Sequence, residues 1–395
     1  MSKKYFPWLV LLILITAGCS KGSRNQQSFT DASLDFAAEQ YRGMAELAAK
    51  NKNLPQTVDK SGKVVFAESS VWTSGFVPGT LWNLFDYTDE FEWSDAARDL
   101  TLRLEKEKWN KASHDAGLLL YCSFGNGYRL TGDPIYREVL LTGAQSLKSR
   151  FNPKVGCIKS WKTTEKWQFP VVIDNMMSLE LMMWAFKTSR DSSYYRACIS
   201  HADTTMKNNF RADYSAVQLV AYDTIKGRPV LKQNVQGASD ELAWARGQSF
   251  GLYGYTVMYR ETRLDRYLQQ AKHIADFLIQ HKNLPADKIP YWDYNAKDIP
   301  NAKHDVSAAA IMASALIELS SFVDSATAKK YLAIAETQLK SLSSSAYRAE
   351  KDENGNFILK NTPAAAEADV SPACADYYYV EALLRLRNLQ AANKK

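Results

Sequence analysis

Two aspartates stand directly ahead of apolar helical stretches in this 395-residue chain. Asp115 lies in His114-Asp115-Ala116-Gly117 and Asp174 in Ile173-Asp174-Asn175-Met176-Met177. Aspartate in such a place ordinarily caps the helix by accepting a backbone N–H bond. Two features favour chemistry instead. Each has a His, amide or Gly neighbour rather than a run of solvated charges, and both fall on one expected rim of the fold. Paired carboxylates with proton affinities pushed apart are the usual acid–base kit for sugar chemistry. With 10 Trp and 21 Tyr, the chain also holds more flat apolar faces than a core needs, which suits stacking on sugar rings.

Other residues sort around this pair. Trp161, in Cys157-Ile158-Lys159-Ser160-Trp161-Lys162, follows a short strand signal before the Asp174 helix and offers a stacking platform. Lys159, Lys162 and Lys166 flank it and together suit a carboxylate or sulfate. Arg246 lies one turn into an apolar helix after Trp244, where a guanidinium facing inward calls for an anionic ligand or a buried carboxylate. His114 is placed to orient Asp115. His201, His273 and His281 read as structural, and His304 as a rim residue without an assigned role. Nothing reads as a nucleotide loop, a nucleophile elbow or a metal set, so neither cofactor nor metal is expected. Of the five cysteines, Cys122, Cys157, Cys198 and Cys374 read as buried small apolar residues.

The elements that must hold these groups are helices. Apolar residues recur at helical spacing in twelve segments, at about 31–53, 74–87, 94–110, 114–131, 134–150, 174–189, 191–210, 243–260, 263–281, 305–323, 325–346 and 375–391. Strand signals are confined to Lys63–Phe66, Gly156–Ser160, Val217–Tyr222 and Phe357–Ile358. Weak internal repetition of Tyr and Ala at i, i+8 favours an all-α (α/α)6 barrel of six inner and six outer helices; a helical-hairpin solenoid is the alternative. The loops before every second helix carry the chemistry, and the remaining connections are plain. If those helices form the inner ring they run parallel, and their N-termini share one mouth whose dipoles favour an anion.

Composition bounds the partners. With 46% apolar and 23% charged residues the chain is ordinary globular material, not a disordered one. The net charge of +6 comes with no basic run inside the folded part, so no nucleic-acid partner is expected. Residues 1–18 have a lysine-bearing start, a short apolar core and small residues, a secretory signal. Ala17-Gly18-Cys19 resembles a bacterial lipobox, which implies cleavage before Cys19 and a lipid on that residue. Residues 19–30 then form a tether and 31–395 a single catalytic domain. The expected location is a lipid-anchored protein facing the periplasm of a Gram-negative bacterium, touching the membrane through its anchor only.

The rim motifs together resemble glycoside hydrolase family 88, the unsaturated glucuronyl hydrolases. They are Trp72-Thr73-Ser74-Gly75-Phe76-Val77-Pro78-Gly79, the two aspartate motifs, Trp244-Ala245-Arg246-Gly247-Gln248, and Asp376-Tyr377-Tyr378 ahead of Glu381-Ala382-Leu383. The resemblance spans residues 35–391. It implies an (α/α)6 barrel, no cofactor, and a substrate bearing a 4,5-unsaturated uronic acid at its non-reducing end, sulfated or not. It implies that Asp174 protonates C4 and helps water add at C5, after which a hemiketal opens and releases the next sugar. Asp115 becomes the second carboxylate, Gln236 and Arg246 substrate contacts, Trp161 the stacking residue, and Trp72 and Trp244 further substrate-binding positions. The family commonly has His where Gln218 stands and Trp where Phe250 stands. The competing readings are an unsaturated rhamnogalacturonyl hydrolase, a sugar epimerase and a non-catalytic glycan-binding lipoprotein on the same barrel. Oligomeric state is not fixed by the sequence.

Overall fold

The computed structural model describes residues 27–360 and 371–392. The signal segment and Cys19 lie outside the described residues. Helix α1 (Phe29–Ala49) starts two residues inside the expected tether, because Ser28 accepts the Asp31 N–H and caps it there.

The twelve expected helices are present. Six are inner: α2 (Phe76–Thr88), α4 (Ala116–Leu120) continued through a π turn at Tyr121–Gly125 into α5 (Asn126–Thr131), α7 (Asn175–Ser189), α9 (Ala245–Thr262), α11 (Val306–Ser320) and α13 (Pro372–Ala392). Each packs on the next, and α13 returns to α2, so the ring closes. The outer helices are α1, α3 (Phe91–Leu102), α6 (Pro134–Lys148), α8 (Ser192–Asn209), α10 (Asp265–Gln280) and α12 (Ser325–Leu342). Burial follows from composition. Helix α10 buries one stripe, Tyr267, Gln270, Ala271, Ile274, Ala275 and Leu278, as an amphipathic outer helix should. Helix α11 is small and apolar almost all round, and nearly all of it is buried.

Short antiparallel ribbons decorate the rim. β1 (Leu54–Val58) pairs with β2 (Val64–Ala67), and β3 (Phe151–Asn152) with β4 (Cys157–Ile158). β5 (Phe169–Val172), β6 (Leu219–Asp223) and β7 (Arg228–Gln233) form a three-stranded sheet in that order. Sequence patterning found β2, β4 and β6 but not their partners, which are too short or too alternating-polar to stand out. The four cysteines among the described residues are buried.

Two packing features have measurable consequences. Gly117 lets α4 and α7 touch: a Cβ there would stand 2.5 Å from Ser178 Cβ. Gly117→Ala should therefore cost about 1–3 kcal/mol, as overpacking does. It should also lower activity by spreading the two helices that carry Asp115 and Asp174; thermal melts with kinetics on the same preparation check this.

Asp376, which the sequence placed among the rim loops, is instead inside α13 and fully buried. It fastens the chain by accepting N–H bonds from Ile358 (2.8 Å) and Leu359 (2.9 Å) and the Tyr41 hydroxyl (3.0 Å). Burial outweighs these bonds and pushes its carboxyl up to about 7. A carboxyl raised in the folded state holds its proton while the unfolded chain loses it, so its contribution to stability declines from about pH 4 to pH 7 and is flat above. In Asp376→Asn that decline should vanish. The Tm gap between wild type and variant should shrink as pH rises through this window; a constant gap would refute the assignment.

Candidate active site

Helix N-termini gather at one mouth, as the loop chemistry implied. Asp115 precedes α4, Asp174 precedes α7, Trp244 precedes α9 and Asp305 precedes α11. The capping alternative can be decided directly. Asp133, Asp191, Asp305 and Asp324 each cap a helix through the side chain. Neither Asp115 nor Asp174 does so, although each holds the N-cap position. Both carboxylates instead line a cavity of about 190 Å³ with Trp72, Trp161, Gln236, Trp244, Arg246 and Phe250. All of these residues had been singled out in the sequence.

His114 ties the carboxylates together. Its ring is buried, with Nε2 3.4 Å from Asp115 Oδ1 and 3.9 Å from Asp174 Oδ2. Its Nδ1 lies 3.3 Å from the Ser160 carbonyl oxygen. A carbonyl can only accept, so Nδ1 carries hydrogen, and Nε2 faces carboxylate oxygens alone. Ser113 donates from its hydroxyl to the second Asp115 oxygen. Both aspartates keep a limited opening to the cavity, with side chains 22% and 19% exposed.

Arg246 is buried between indole faces, its guanidinium carbon 4.9 Å from the Trp244 ring centre and 5.8 Å from that of Trp72. It donates to Ser307 Oγ at 3.4 Å, and Ser307 in turn bonds Asp305. The guanidinium also lines the cavity.

The sheet sets Gln236 and Asp174. The Ile173 N–H bonds the Gln218 carbonyl at 2.8 Å, which registers the Asp174 turn on β6. Gln218 does not line the cavity. Its side chain is buried and bonds Gln236 twice, donating to Gln236 Oε1 and accepting from the Gln236 N–H at 2.8 Å. Gln218 therefore positions Gln236. Lys162 is exposed beside Trp161 and outside the cavity lining; Lys159 bonds Thr163, and Lys166 lies over the Trp167 ring. Trp161 packs on the sheet through Trp167, 5.8 Å between ring centres.

Sequence reasoning missed the scaffold beneath these groups. Ser160 is fully buried; its hydroxyl accepts from the Val172 N–H and Asn175 Nδ2, and its carbonyl faces His114. Arg150 binds the carbonyls of Lys159 (2.8 Å), Ser160 (2.9 Å) and Lys111, lacing two rim loops together. A terminal Arg on an outer helix gives no such signal. His201 is structural as expected: it accepts the Ile158 N–H, and burial drives its pKa down to about 3. One spacing was overlooked. Gly247-Gln248-Ser249-Phe250-Gly251 fits G-x-S-x-G, but it lies inside α9, and Ser249 is buried and bonded to the Ala308 carbonyl, so no nucleophile elbow exists there. Among the described residues no group of three His, Cys, Asp or Glu side chains could hold a metal ion.

No family model matches the chain. Known proteins do. The unsaturated glucuronyl hydrolase of Formosa agariphila is 41% identical over 344 residues, covering 85% of each chain. A crystal structure described as an unsaturated glucuronyl hydrolase specific for heparin is 42% identical, with a TM-score of 0.88 over 92% of this chain and 98% of that one. The unsaturated glucuronyl hydrolase structure from Bacillus sp. GL1 is 26% identical, with a TM-score of 0.82 over 90% and 96% of the two chains. A carboxylate pair at the mouth of a closed (α/α)6 ring, with this likeness across nearly the whole described chain, places the protein: it belongs to the unsaturated glucuronyl hydrolases, glycoside hydrolase family 88.

Proposed function

We propose that, in this unsaturated glucuronyl hydrolase, Asp174 delivers a proton to C4 of the terminal unsaturated uronate and then takes one from the water that adds at C5. The C4=C5 π bond becomes a C4–H and a C5–OH bond, and the proton count at Asp174 is restored. The C5 hemiketal then opens and frees the next sugar of the glycosaminoglycan oligosaccharide. The observation that carries this reading is the His114 cluster, two carboxylates that bracket one imidazole nitrogen and leave their helices uncapped. Asp115 holds the ring hydroxyls, Arg246 takes the uronate carboxylate, and Trp161 stacks on the second sugar.

The test follows alkene absorbance and sugar release together, on unsaturated disaccharides from heparin, chondroitin and hyaluronan. Hydration-first chemistry makes the two signals move at one rate. Release of the second sugar ahead of alkene loss would overturn it. Heparin disaccharides head the panel, because the 42% identical structure is described as heparin-specific.

We further propose that Cys19 is lipidated and holds the barrel at a periplasm-facing membrane surface. The support is the charged start, the short apolar run and Ala17-Gly18-Cys19. Cys19→Ala should shift the protein from the membrane fraction to the soluble one; equal partitioning of both forms would refute the anchor.

A further inference from the structure

The larger cavity of this protein is not the one with the aspartates. The inner helices, in the parts that run from mid-length to their C-terminal ends, enclose about 610 Å³ at the far end of the barrel, against about 190 Å³ at the rim. Three observations give the far cavity a chemical character.

The first is charge. Asp86, Glu180, Glu261 and Glu381 line it with Arg129, Arg260 and Arg385. Every guanidinium is already engaged: Arg129 with Asp86 at 3.0 Å, Arg260 with Glu180 and with Glu318 at 2.9 Å, and Arg385 with Glu318 and Glu381. Lys187, paired with Glu261, stands behind as Glu318 does. One carboxylate is left in excess, and converging helix C-termini add partial negative charge. Burial raises the Glu180 carboxyl above its usual range, and its ion pair with Arg260 opposes the rise.

The second is an unanswered amide. Asn83 is 3% exposed, lines this cavity, and its Nδ2 has no hydrogen-bond partner. A buried amide left so is costly, and the cavity is where a partner would stand. The third is the wall. Trp184, set edge-on to Tyr128 with 5.6 Å between ring centres, lines it together with Tyr121 of the π turn, and such turns recur at functional sites. Aromatic faces attract both sugar rings and cations.

We propose that the far cavity is a second ligand site, which takes a hydroxylated ring bearing an ammonium group, of amino-sugar size. The carboxylate surplus selects the cation, Asn83 takes a hydroxyl, and Trp184 takes the ring face. The two cavities differ in the helix ends they face, C-termini here and N-termini at the rim, which disfavours an anion here and favours one there. A water-filled polar core is the other outcome.

Calorimetric titration of the full protein with D-glucosamine tests this, with N-acetyl-D-glucosamine and D-glucuronate as controls. Glucosamine should bind, and neutralising its amine in the N-acetyl sugar should weaken binding about tenfold or more, as loss of a charge-assisted contact does. Glucuronate should not compete. Asn83→Leu and Trp184→Ala should each weaken glucosamine binding about tenfold. Both should leave kcat/KM on the unsaturated disaccharide unchanged, which also reports that the variants fold. Absence of glucosamine binding to the wild type, equal binding of the two sugars, or full binding by both folded variants would overturn the proposal.

Discussion

Asp174→Asn will lose about 10²–10⁴-fold in kcat, the range that removal of a general acid–base costs. It will lose little stability. The second half follows from an observation that separates catalysis from capping: the Asp174 carboxylate makes no capping bond to α7. An aspartate that only capped would keep its turnover in this variant, because Asn caps nearly as well as Asp. The amide keeps the shape of the carboxylate but can neither give up a proton at C4 nor accept one from water. Turnover above a tenth of wild type, measured by alkene absorbance on purified folded variant, would remove Asp174 from this role.

Arg246→Leu will fail in a different way. A charge-assisted hydrogen bond is worth about 1.5–3 kcal/mol, so kcat/KM should fall about 10–150-fold, chiefly through KM. The substitution also removes the bond to Ser307, so a thermal melt on the same preparation separates loss of fold from loss of binding. Arg246→Lys should recover only part of the loss, because the ammonium lacks the planar fork. The decisive substrate is the uronate methyl ester, which carries no charge. If Arg246 reads the carboxylate, wild type and Arg246→Leu will process the ester alike. A loss on the ester as large as that on the free acid would assign Arg246 to another part of the sugar.

Much of this site was legible beforehand because helical periodicity and loop chemistry are local signals. Asp115, Asp174, Trp161 and Arg246 could be placed on one rim from the alternation of rich and plain loops, and the cavity gathers all four. Gln236 came from the family resemblance. Gln218 was misplaced for a physical reason. Its job depends on the register of β6 beside β5 and on the turn after β7, which are long-range pairings with no one-dimensional trace. Ser160 and Arg150 were invisible likewise, since their value lies in which carbonyls and amides come within reach after folding. The π turn at Tyr121–Gly125 leaves the apolar spacing almost intact, so periodicity cannot distinguish it from regular helix.

The closed ring carries a consequence for how the protein is made. Its sixth inner helix, α13, is the last segment of the described chain, and it packs against α2, α11 and α1. Arg387 near its end pairs with Asp31 near the start of α1 at 2.8 Å, so the first and last helices are clasped to each other. A chain growing from a ribosome therefore cannot seal the barrel until α13 emerges. Every earlier length is an open crescent with the apolar flanks of α2 and α11 bare, a form prone to stick to others of its kind. Chaperones thus meet an emerging polypeptide with all its chemistry already spelled out and no mouth yet to hold it.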